Sequence, residues 1–359
     1  MAFSWFNSRV NPIAIDLGTD SIKMLQLEPR ESQLRLACAG LAEVPQEMRH
    51  DPVKRDAFAV EAIKKLISDL GFKGRQVMTC LPASMMAVQH LRVRKMGADD
   101  LEKALPFEAQ GKLPFDPHKA MIKHMIAGEV YEEQEVKTEV ILMAAARDGV
   151  DRHLAILSKA KLEVVGIHVE PVALIESFSH LFRRKEDADL STMFIDIGAG
   201  NTHVVIAHGK QMVFAKHVVA GGDYINKKAA EAMGSSVAQA KELRIRSSVD
   251  RGNVESGKKM AAALDDTITA MVSDLMMCIR YYESIFPERH VDRIVFVGGE
   301  SRHMALCREI AEKLELPALL GDPMARLFKD EKTKCGVEHG QPQPGWAVAV
   351  GLGMGIANN

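Results

Sequence analysis

The chain has 359 residues, enough for two domains or for one large two-lobed domain. Its 46 lysines and arginines against 48 aspartates and glutamates leave a net charge of −2, which argues against nucleic acid or an anionic membrane surface as the main partner. The five cysteines form no C-x-x-C pair, so neither a zinc site nor a disulfide framework is expected, and a reducing compartment fits. Neither a signal peptide nor a membrane-spanning apolar run is predicted.

The first half of the chain alternates predicted strands and helices. In chain order they are a β-hairpin at 13–27, a helix at 56–70, a strand at 76–81, a helix from 99, a strand at 140–146, a helix from about 150, a strand at 163–169 and a helix from 171. Asp99 and Glu102 form a capping-box pattern, and Pro106 should kink the helix that they open. Pro171 is expected at the first helical position, which proline favours.

The second half repeats the opening pattern after a polar break at 186–189. Residues 192–208 contain an apolar strand, a glycine-rich turn and a second strand, so that Asp196 holds the place that Asp16 holds near the start. A repeat half a chain apart indicates two lobes that are built alike. The remaining elements are a Met-rich helix at 256–286 whose apolar stripe predicts core packing, a strand at 293–297, a loop at 329–345 and a helix at 346–357.

Both hairpin turns have the composition of a phosphate-binding loop. In each, an apolar strand ends at an aspartate, and glycine lets the backbone turn tightly and approach a ligand. Successive N–H groups of such a turn bind phosphate oxygens, and Lys23 adds a positive charge. Two facing turns would hold a polyphosphate from both sides, with Asp16 and Asp196 binding Mg²⁺ through its water molecules. The strand that ends at Gly298-Gly299 offers a third backbone surface, suited to a base or a sugar.

The order of these motifs resembles the actin-like ATPase superfamily, which includes actin, Hsp70, MreB and FtsA. The matching segments are DLGTDSIK from Asp16, DIGAGNTH from Asp196, VAGGD from Val219 and VFVGGES from Val295. Two further patterns are similar to the PilM family of type IV pilus assembly proteins. They are the helical positions Leu101, Ala104, Glu108, Ala109, Pro114 and Phe115, and the segment VGIHVEP at 165–171.

The resemblance implies an α/β fold of the two-lobed actin-like ATPase type, in which two RNase-H-like lobes flank a nucleotide cleft and an FtsA/PilM-type extra subdomain is inserted. The first lobe would take residues 1–190, with its core at 10–82 and 145–190 and the inserted subdomain at about 83–144. The second lobe would take residues 191–345, with its core at 191–222 and 287–345 and a smaller subdomain at about 223–286. A C-terminal helix at 346–359 would return to the first lobe.

The resemblance also places ATP with Mg²⁺ between the lobes and implies which residues surround it. These residues are Asp16, Gly18, Thr19, Asp20, Ser21, Lys23, Asp196, Gly198, Ala199, Gly200, Asn201, Thr202, Gly221, Gly222, Asp223, Lys241, Glu242, Arg244, Gly298, Gly299, Glu300 and Ser301. Relatives usually carry Glu-x-x-Lys near the ribose, whereas this chain has Lys241 where the glutamate is expected.

Glu170 occupies the position at which MreB-like relatives carry a glutamate that orients the attacking water, so the resemblance gives it a catalytic role. The alternative is structural, because an acidic residue at a helix start is stabilised by the helix dipole. The histidines at 203, 208 and 217 show no metal-ligand pattern and are interpreted as ordinary strand residues.

The preferred interpretation is a cytoplasmic, ATP-binding adaptor of type IV pilus biogenesis that hydrolyses ATP slowly at most. By resemblance, its partner is the N-terminal cytoplasmic segment of an inner-membrane pilus assembly protein of the PilN kind, which would hold it at the membrane. The alternatives are a nucleotide-dependent filament or cell-division protein of the FtsA/MreB kind, a type II secretion scaffold, and a sugar or acetate kinase. No FtsA-type terminal membrane helix is expected after residue 357, and homo-oligomerisation stays open.

Overall fold

The computed structural model describes residues 11–357, apart from 32, 133, 183–186, 188, 250–253, 330–336, 338 and 339. Half of the polar break predicted at 186–189, and much of the loop predicted at 329–345, therefore lie outside the described residues. Two five-stranded sheets and one three-stranded sheet organise the described part of the chain.

The first five-stranded sheet contains the opening hairpin. Its strands are β1 (Ile13–Leu17), β2 (Ser21–Arg30), β3 (Gln33–Glu43), β4 (Gln76–Leu81) and β8 (Glu163–Val169), in the order β3-β2-β1-β4-β8. The first three strands are antiparallel neighbours, whereas β4 and β8 run parallel to β1. Every residue of β1 is buried, which places this strand at the centre of the lobe.

The second five-stranded sheet repeats the first. Its strands are β9 (Ser191–Ile197), β10 (Thr202–His208), β11 (Gln211–Val218), β12 (Arg293–Val297) and β13 (Ala318–Leu320), in the order β11-β10-β9-β12-β13. Again three antiparallel strands are followed by two that run parallel to the first. The matching order and direction show that the repeat in the sequence is a repeat of the fold.

Helices cover both faces of the first sheet. They are α1 (Pro52–Leu70) and α3 (Arg147–Lys159) on one face, and α4 (Glu170–Ser177) and α9 (Ala347–Ala357) on the other. Gly351 of α9 lies so close to α4 that a side chain there would strike the carbonyl oxygen of Ala173. Because of this contact, the last described helix packs tightly into the first lobe.

The second lobe packs its helices around a Met-rich core. These helices are α5 (Gly222–Met233), α6 (Val237–Val249), α7 (Val254–Ile285) and α8 (Met304–Leu314). The stripe predicted along α7 is buried and packs with the second sheet, as shown by Met260, Leu264, Ile268, Met271, Leu275 and Ile279. Apolar burial of this kind is the main stabilising contribution to a fold.

A three-stranded sheet lies between β4 and α3 in the sequence. Its strands are β5 (Met86–Arg94), β6 (Ala120–Glu132) and β7 (Glu135–Ala146), in the order β5-β7-β6, and α2 (Ala98–Glu108) packs on it through Leu101 and Leu105. The sheet also contacts the second lobe, because the fully buried carboxylate of Glu139 accepts a hydrogen bond from the Tyr281 hydroxyl at 2.8 Å. His90 Nδ1 lies 3.0 Å from the same carboxylate.

Two local predictions are wrong. The capping box at Asp99 does not form, because the N-cap lies two residues earlier: the N–H of Leu101 donates to the carbonyl of Gly97, which is the N-cap. Asp99 instead lies in the first turn, where its charge suits the helix dipole. Pro171 is the second residue of α4 rather than the first, and Glu170 opens the helix.

The prediction that Pro106 would kink or split this helix fails for splitting, because α2 continues through Pro106 and ends two residues later, at Glu108. No helix among the described residues has an apolar stretch long enough to cross a membrane. The numerical domain boundaries stay a prediction.

Candidate functional site

A cavity of about 500 Å³ lies between the two five-stranded sheets. It is bounded by the β1–β2 turn of the first lobe, the β9–β10 turn of the second lobe and the glycines that follow β12. The predicted site residues that line it are Asp16, Gly18, Thr19, Asp20, Lys23, Glu170, Asp196, Gly198, Ala199, Gly200, Asn201, Gly298 and Gly299. The structure thus brings three of the four segments that carried the resemblance to one cleft.

The two hairpin turns meet across this cleft. A Cβ atom on Gly200 would lie 2.7 Å from Oγ1 of Thr19, which belongs to the opposite turn. Glycine is therefore required here by the close approach of one lobe to the other. Gly298 has φ of +90°, and a side chain there would strike the carboxylate of Asp196. Both glycines are fixed by contacts within the protein.

Three carboxylates converge at the floor of the cleft. The pKa of Asp16 is raised to about 6, mainly by burial; Lys23 acts against this rise, and the negative charges of Glu170 and Asp196 contribute to it. The Lys23 ammonium is 3.8 Å from Asp16. Burial also raises the pKa of Asp196. Such an excess of buried negative charge is the environment that a divalent cation stabilises.

The donor atoms at this floor suit a hard cation. The carboxylate oxygens of Asp16 and Glu170 and the sulfur of Cys80 all lie within 4.8 Å of one another. Burial raises the pKa of the Cys80 thiol well above its ordinary value, so the sulfur stays protonated and is a poor ligand. The oxygens that remain are the ligands that Mg²⁺ takes in proteins, so the residues present fit this ion.

Glu170 makes a contact that the sequence did not reveal. Nδ1 of His203 is 2.9 Å from Oε2 of Glu170. Burial alone would lower the pKa of His203, but the carboxylates of Glu170, Asp196 and Asp16 outweigh it and raise the pKa to about 9. The His203 ring stacks on His217, with ring centroids 4.6 Å apart. Burial and the charge of His203 lower the pKa of His217 to about 4. His203 is a residue of strand β10, as the sequence pattern predicted, and it also lines the cleft, which the pattern did not indicate.

Arginines that no motif indicated line the rim of the cavity. Nη2 of Arg55 donates to the carbonyls of Leu17 and Gly18 at 2.9 and 2.8 Å, which fixes the β1–β2 turn. Arg49 in the first lobe lies 3.3 Å from Asp223 at the start of α5 in the second lobe. Neither arginine lies within a glycine turn, so a search by motif does not find them.

The other predicted site residues lie beside the cavity rather than along it. Among the described residues, those that do not line it are Ser21, Thr202, Gly221, Gly222, Asp223, Lys241, Glu242, Arg244, Glu300 and Ser301. The Ser21 hydroxyl donates to Asp20 at 2.9 Å, and that of Thr202 donates to the carbonyl of Ala220 at 2.5 Å. These hydroxyls therefore stabilise the turns without lining the cavity.

The residues predicted to surround the nucleoside pack against one another. Arg244 of α6 and Glu300 form a buried ion pair at 2.5 Å. A side chain on Gly222 would strike Glu300, so the glycine permits α5 to approach this pair. The Ser301 hydroxyl donates to the carbonyl of Val297.

Lys241 and Glu242 lie on α6 and do not line the cavity. The carboxylate of Glu242 pairs with Arg246 at 2.6 Å on an exposed part of α6, so it points away from the cleft in this structure. The cavity surface at this end is formed instead by Gly298 and Gly299 together with Pro344 and Gly345.

Comparison with known proteins identifies the family. A family model described as type IV pilus assembly protein PilM matches residues 14–356. The chain belongs to this family. The structure of a "PilM-PilN type IV pilus biogenesis complex" is similar to it with a TM-score of 0.80 and 20% identity, covering 97% of this chain and 99% of that one. Together these matches confirm the predicted two-lobed actin-like fold and the resemblance to PilM.

Two further relatives are more distant. The ethanolamine utilization protein EutJ from Carboxydothermus hydrogenoformans matches with a TM-score of 0.55 and 14% identity, over 96% of this chain and 92% of that one. The cell division protein FtsA of Enterococcus hirae is 23% identical over an alignment of 255 residues, gaps included, and the match covers 65% of this chain and 57% of that protein. The match thus spans little more than half the length of FtsA.

Proposed function

We propose that this chain is an ATP-binding adaptor of type IV pilus assembly. Membership of the PilM family supports the role in pilus assembly. The observation that carries the nucleotide site is the pair of equivalent turns, one from each lobe, that meet at Thr19 and Gly200 across a single cavity. A ligand that contacts both lobes favours the closed arrangement by its differential affinity for it.

In this proposal, the turns bind the nucleotide and the carboxylates bind the metal ion. We assign the phosphates to the backbone N–H groups of the two turns and to Lys23, and the adenosine to the backbone at Gly298-Gly299 and 344–345. Asp16 and Asp196 would hold Mg²⁺ through its water molecules. When bound, the ion would neutralise phosphate charge and the carboxylate charge that raises the pKa of Asp16.

The partner would be the N-terminal cytoplasmic segment of a PilN-like inner-membrane protein. The structural neighbour with a TM-score of 0.80 comes from a PilM–PilN complex, which supports this choice. The proposed groove lies between the first lobe and the inserted sheet, near α2 and its exposed Phe107. Binding there would place the adaptor in the cytoplasm, at the inner membrane, through its partner.

The nucleotide site is tested by thermal unfolding with Mg-ATP. At a ligand concentration of about 100 times Kd, binding adds about 2.7 kcal/mol to the free energy of unfolding, so Tm should rise by several degrees. Asp196→Ala should remove most of the rise, whereas Asp151→Ala, at an exposed position on α3, should keep it. An equal rise in Asp196→Ala and the parent would contradict the site.

The partner is tested by a pull-down with a synthetic N-terminal peptide of the PilN-like protein. Retention by the parent, and loss on Phe107→Ser, would support the groove.

The likeness to FtsA gives filament formation as the second candidate, because head-to-tail contacts produce open filaments when the rotation does not close. Light scattering at a fixed protein concentration distinguishes it: a rise in intensity when Mg-ATP is added favours the filament, and an unchanged intensity favours the adaptor.

A further inference from the structure

An ion pair between the lobes lies beside the two turns to which we assign the phosphates. Nη1 of Arg49, in the connection between β3 and α1, lies 3.3 Å from Oδ1 of Asp223, the second residue of α5. The Arg49 side chain is 12% exposed and that of Asp223 is 31% exposed, so water screens this pair less than it screens an ion pair on an open surface. Arg49 also lines the cavity between the lobes.

Each partner of this pair is hydrogen-bonded to the turn of its own lobe. On the first-lobe side, Nε of Arg49 donates to the carbonyl of Val44 at 3.1 Å, and the N–H of Val44 donates to the carbonyl of Asp20 at 2.7 Å. On the second-lobe side, the N–H of Asp223 donates to the carbonyl of Ala199 at 2.8 Å. Asp20 belongs to the β1–β2 turn and Ala199 to the β9–β10 turn. The ion pair therefore connects the two turns through short runs of hydrogen bonds.

We propose that Arg49 and Asp223 form a gate that opens before a nucleotide enters or leaves the cleft, and that this pair sets the rate of nucleotide exchange. The inference rests on the nucleotide site proposed above, and it adds to that site two residues that control the exchange of the ligand. Opening the gate separates the two turns, because each partner is tied to one of them.

The Asp223 carboxylate depends on Arg49 in the closed arrangement. Among the residues that the structure describes, Arg49 is its hydrogen-bond partner, and its other oxygen, Oδ2, is buried with no partner. A buried carboxylate that loses its cation gains from reaching water. Removing the Arg49 guanidinium should therefore favour the open cleft, in which water can solvate Asp223.

The gate should change the rates of exchange more than the affinity. All of its contacts are between protein groups, so the pair can form in the free protein and in the complex and stabilise both to a similar extent. A contact that is equal in two states does not shift the equilibrium between them. The same contact is broken in the open form through which the ligand passes, so it raises the barrier in both directions.

The test measures exchange in two variants that remove opposite charges. Arg49→Met removes the cation and Asp223→Asn removes the anion. Stopped-flow fluorescence follows binding of an N-methylanthraniloyl-labelled ATP with Mg²⁺, and its release into an excess of unlabelled ATP. In both variants we expect the association and dissociation rate constants to rise together, by about threefold to tenfold, and Kd to stay within about threefold of the parent.

The opposite charges of the two variants separate a gate from electrostatic steering. Loss of a positive charge at the cavity slows the association of an anionic nucleotide, and loss of a negative charge accelerates it. A gate instead predicts faster association in both variants. The double variant should exchange no faster than the faster single variant, because the second substitution has no pair left to break. Arg94→Met, at an exposed position on β5, is the matched control and should behave as the parent does.

Urea unfolding of each variant establishes that it is folded, and if Arg49→Met is not, Asp223→Asn is compared with Arg49→Lys, which keeps the charge and should exchange more slowly than Asp223→Asn. Unchanged rates, opposite changes of association in the two single variants, additive effects in the double variant, or weaker binding with unchanged association each overturn the gate and leave the nucleotide site standing. Failure of the parent to bind Mg-ATP in a calorimetric titration overturns the nucleotide site and the gate together.

Discussion

The two hairpin turns have the same strand pairing, but the positively charged side chain beside each turn contacts a different partner. Lys23 lies opposite Asp16 in the β1–β2 ladder, and His203 lies opposite Asp196 in the β9–β10 ladder, so the two cations hold equivalent positions. Lys23 is 3.8 Å from the aspartate of its own turn. His203 instead reaches Glu170 in the other lobe. At equivalent positions of the repeated fold, Lys23 therefore contacts a carboxylate of its own lobe, whereas His203 contacts a carboxylate of the other lobe.

The chemistry of the two side chains fits this division. Lysine carries a compact charge on a flexible stem, so it can move from a carboxylate to a phosphate when a ligand binds. Histidine is planar and, in this structure, stacked on His217, so its direction is fixed. The difference suggests that the first turn responds to ligand and the second holds the lobes together, which three measurements can test.

The largest effect is expected at Lys23. Lys23→Met removes the charge assigned to the phosphates and should weaken ATP binding about tenfold to a hundredfold, because a hydrogen bond to a charged group contributes about 1.5–3 kcal/mol. Lys65→Met, at an exposed position on α1, is the matched control and should bind as the parent does. Isothermal titration calorimetry gives both affinities. If Lys23→Met binds as tightly as Lys65→Met, the assignment of the phosphates fails.

The contact between the turns is tested at Gly200. Gly200→Ala places a Cβ atom 2.7 Å from Oγ1 of Thr19, and we expect it to lower the free energy of unfolding by about 1–3 kcal/mol. Gly149→Ala on α3 is the control, since its Cβ meets only Met85 at 3.9 Å, and it should be neutral or slightly stabilising. Urea unfolding measures both.

Combining Gly200→Ala with Thr19→Ala should recover part of the loss, because the hydroxyl in the way is gone. Losses that simply add would show that the two turns do not touch in solution.

A smaller effect is expected from the pH dependence of the unliganded protein. The pKa of His203 is raised to about 9, above its unfolded value of about 6.5, so its charge stabilises the folded state fully below pH 6.5 and this contribution is lost as the pH rises through 9. Between pH 7 and 9.5 the parent should lose on the order of 1–2 kcal/mol more than His203→Gln. Parallel stability curves for the two proteins would show that the histidine is neutral when folded.

Asp16 acts with the same sign in a lower pH range. Its pKa is raised to about 6 in the folded state, so ionising it costs stability as the pH rises from about 4 to 6. Most of this loss occurs below the pH range of the His203 effect, and both effects can be measured on one series of unfolding curves.

The sequence predicted the parts of the site that are local. Each turn is recognisable in the sequence from an apolar strand, an aspartate and glycines within a few residues. The structure has both hairpins at the predicted positions. The repeat of that pattern was enough to predict two lobes that are built alike, whereas the sheet in each lobe was implied by the resemblance to the actin-like ATPases. The predicted strands and helices follow from hydrophobic periodicity, which is read over short windows, but the strands β3, β5, β6, β11 and β13 were not predicted.

The contacts that join distant segments could not be predicted. Glu170 and His203 are adjacent only because two lobes close on each other, and Arg244 pairs with Glu300 only because α6 lies against the turn after β12. The resemblance indicated that Arg244 and Glu300 lie near the nucleoside, but it could not show that the two charges satisfy each other. Arg49 and Arg55 lie outside every motif and reach the cavity through the tertiary fold alone.

The helix α9 sets the order in which this molecule can be completed. Residues 347–357 pack against β1 and α4, which are made early, and Ala347 and Val348 form part of the cavity wall. During synthesis, the face of the first sheet that α9 covers therefore stays exposed until the second lobe and α9 have left the ribosome. Such non-local closure slows folding, and it leaves the wall of the proposed nucleotide cavity incomplete until α9 docks.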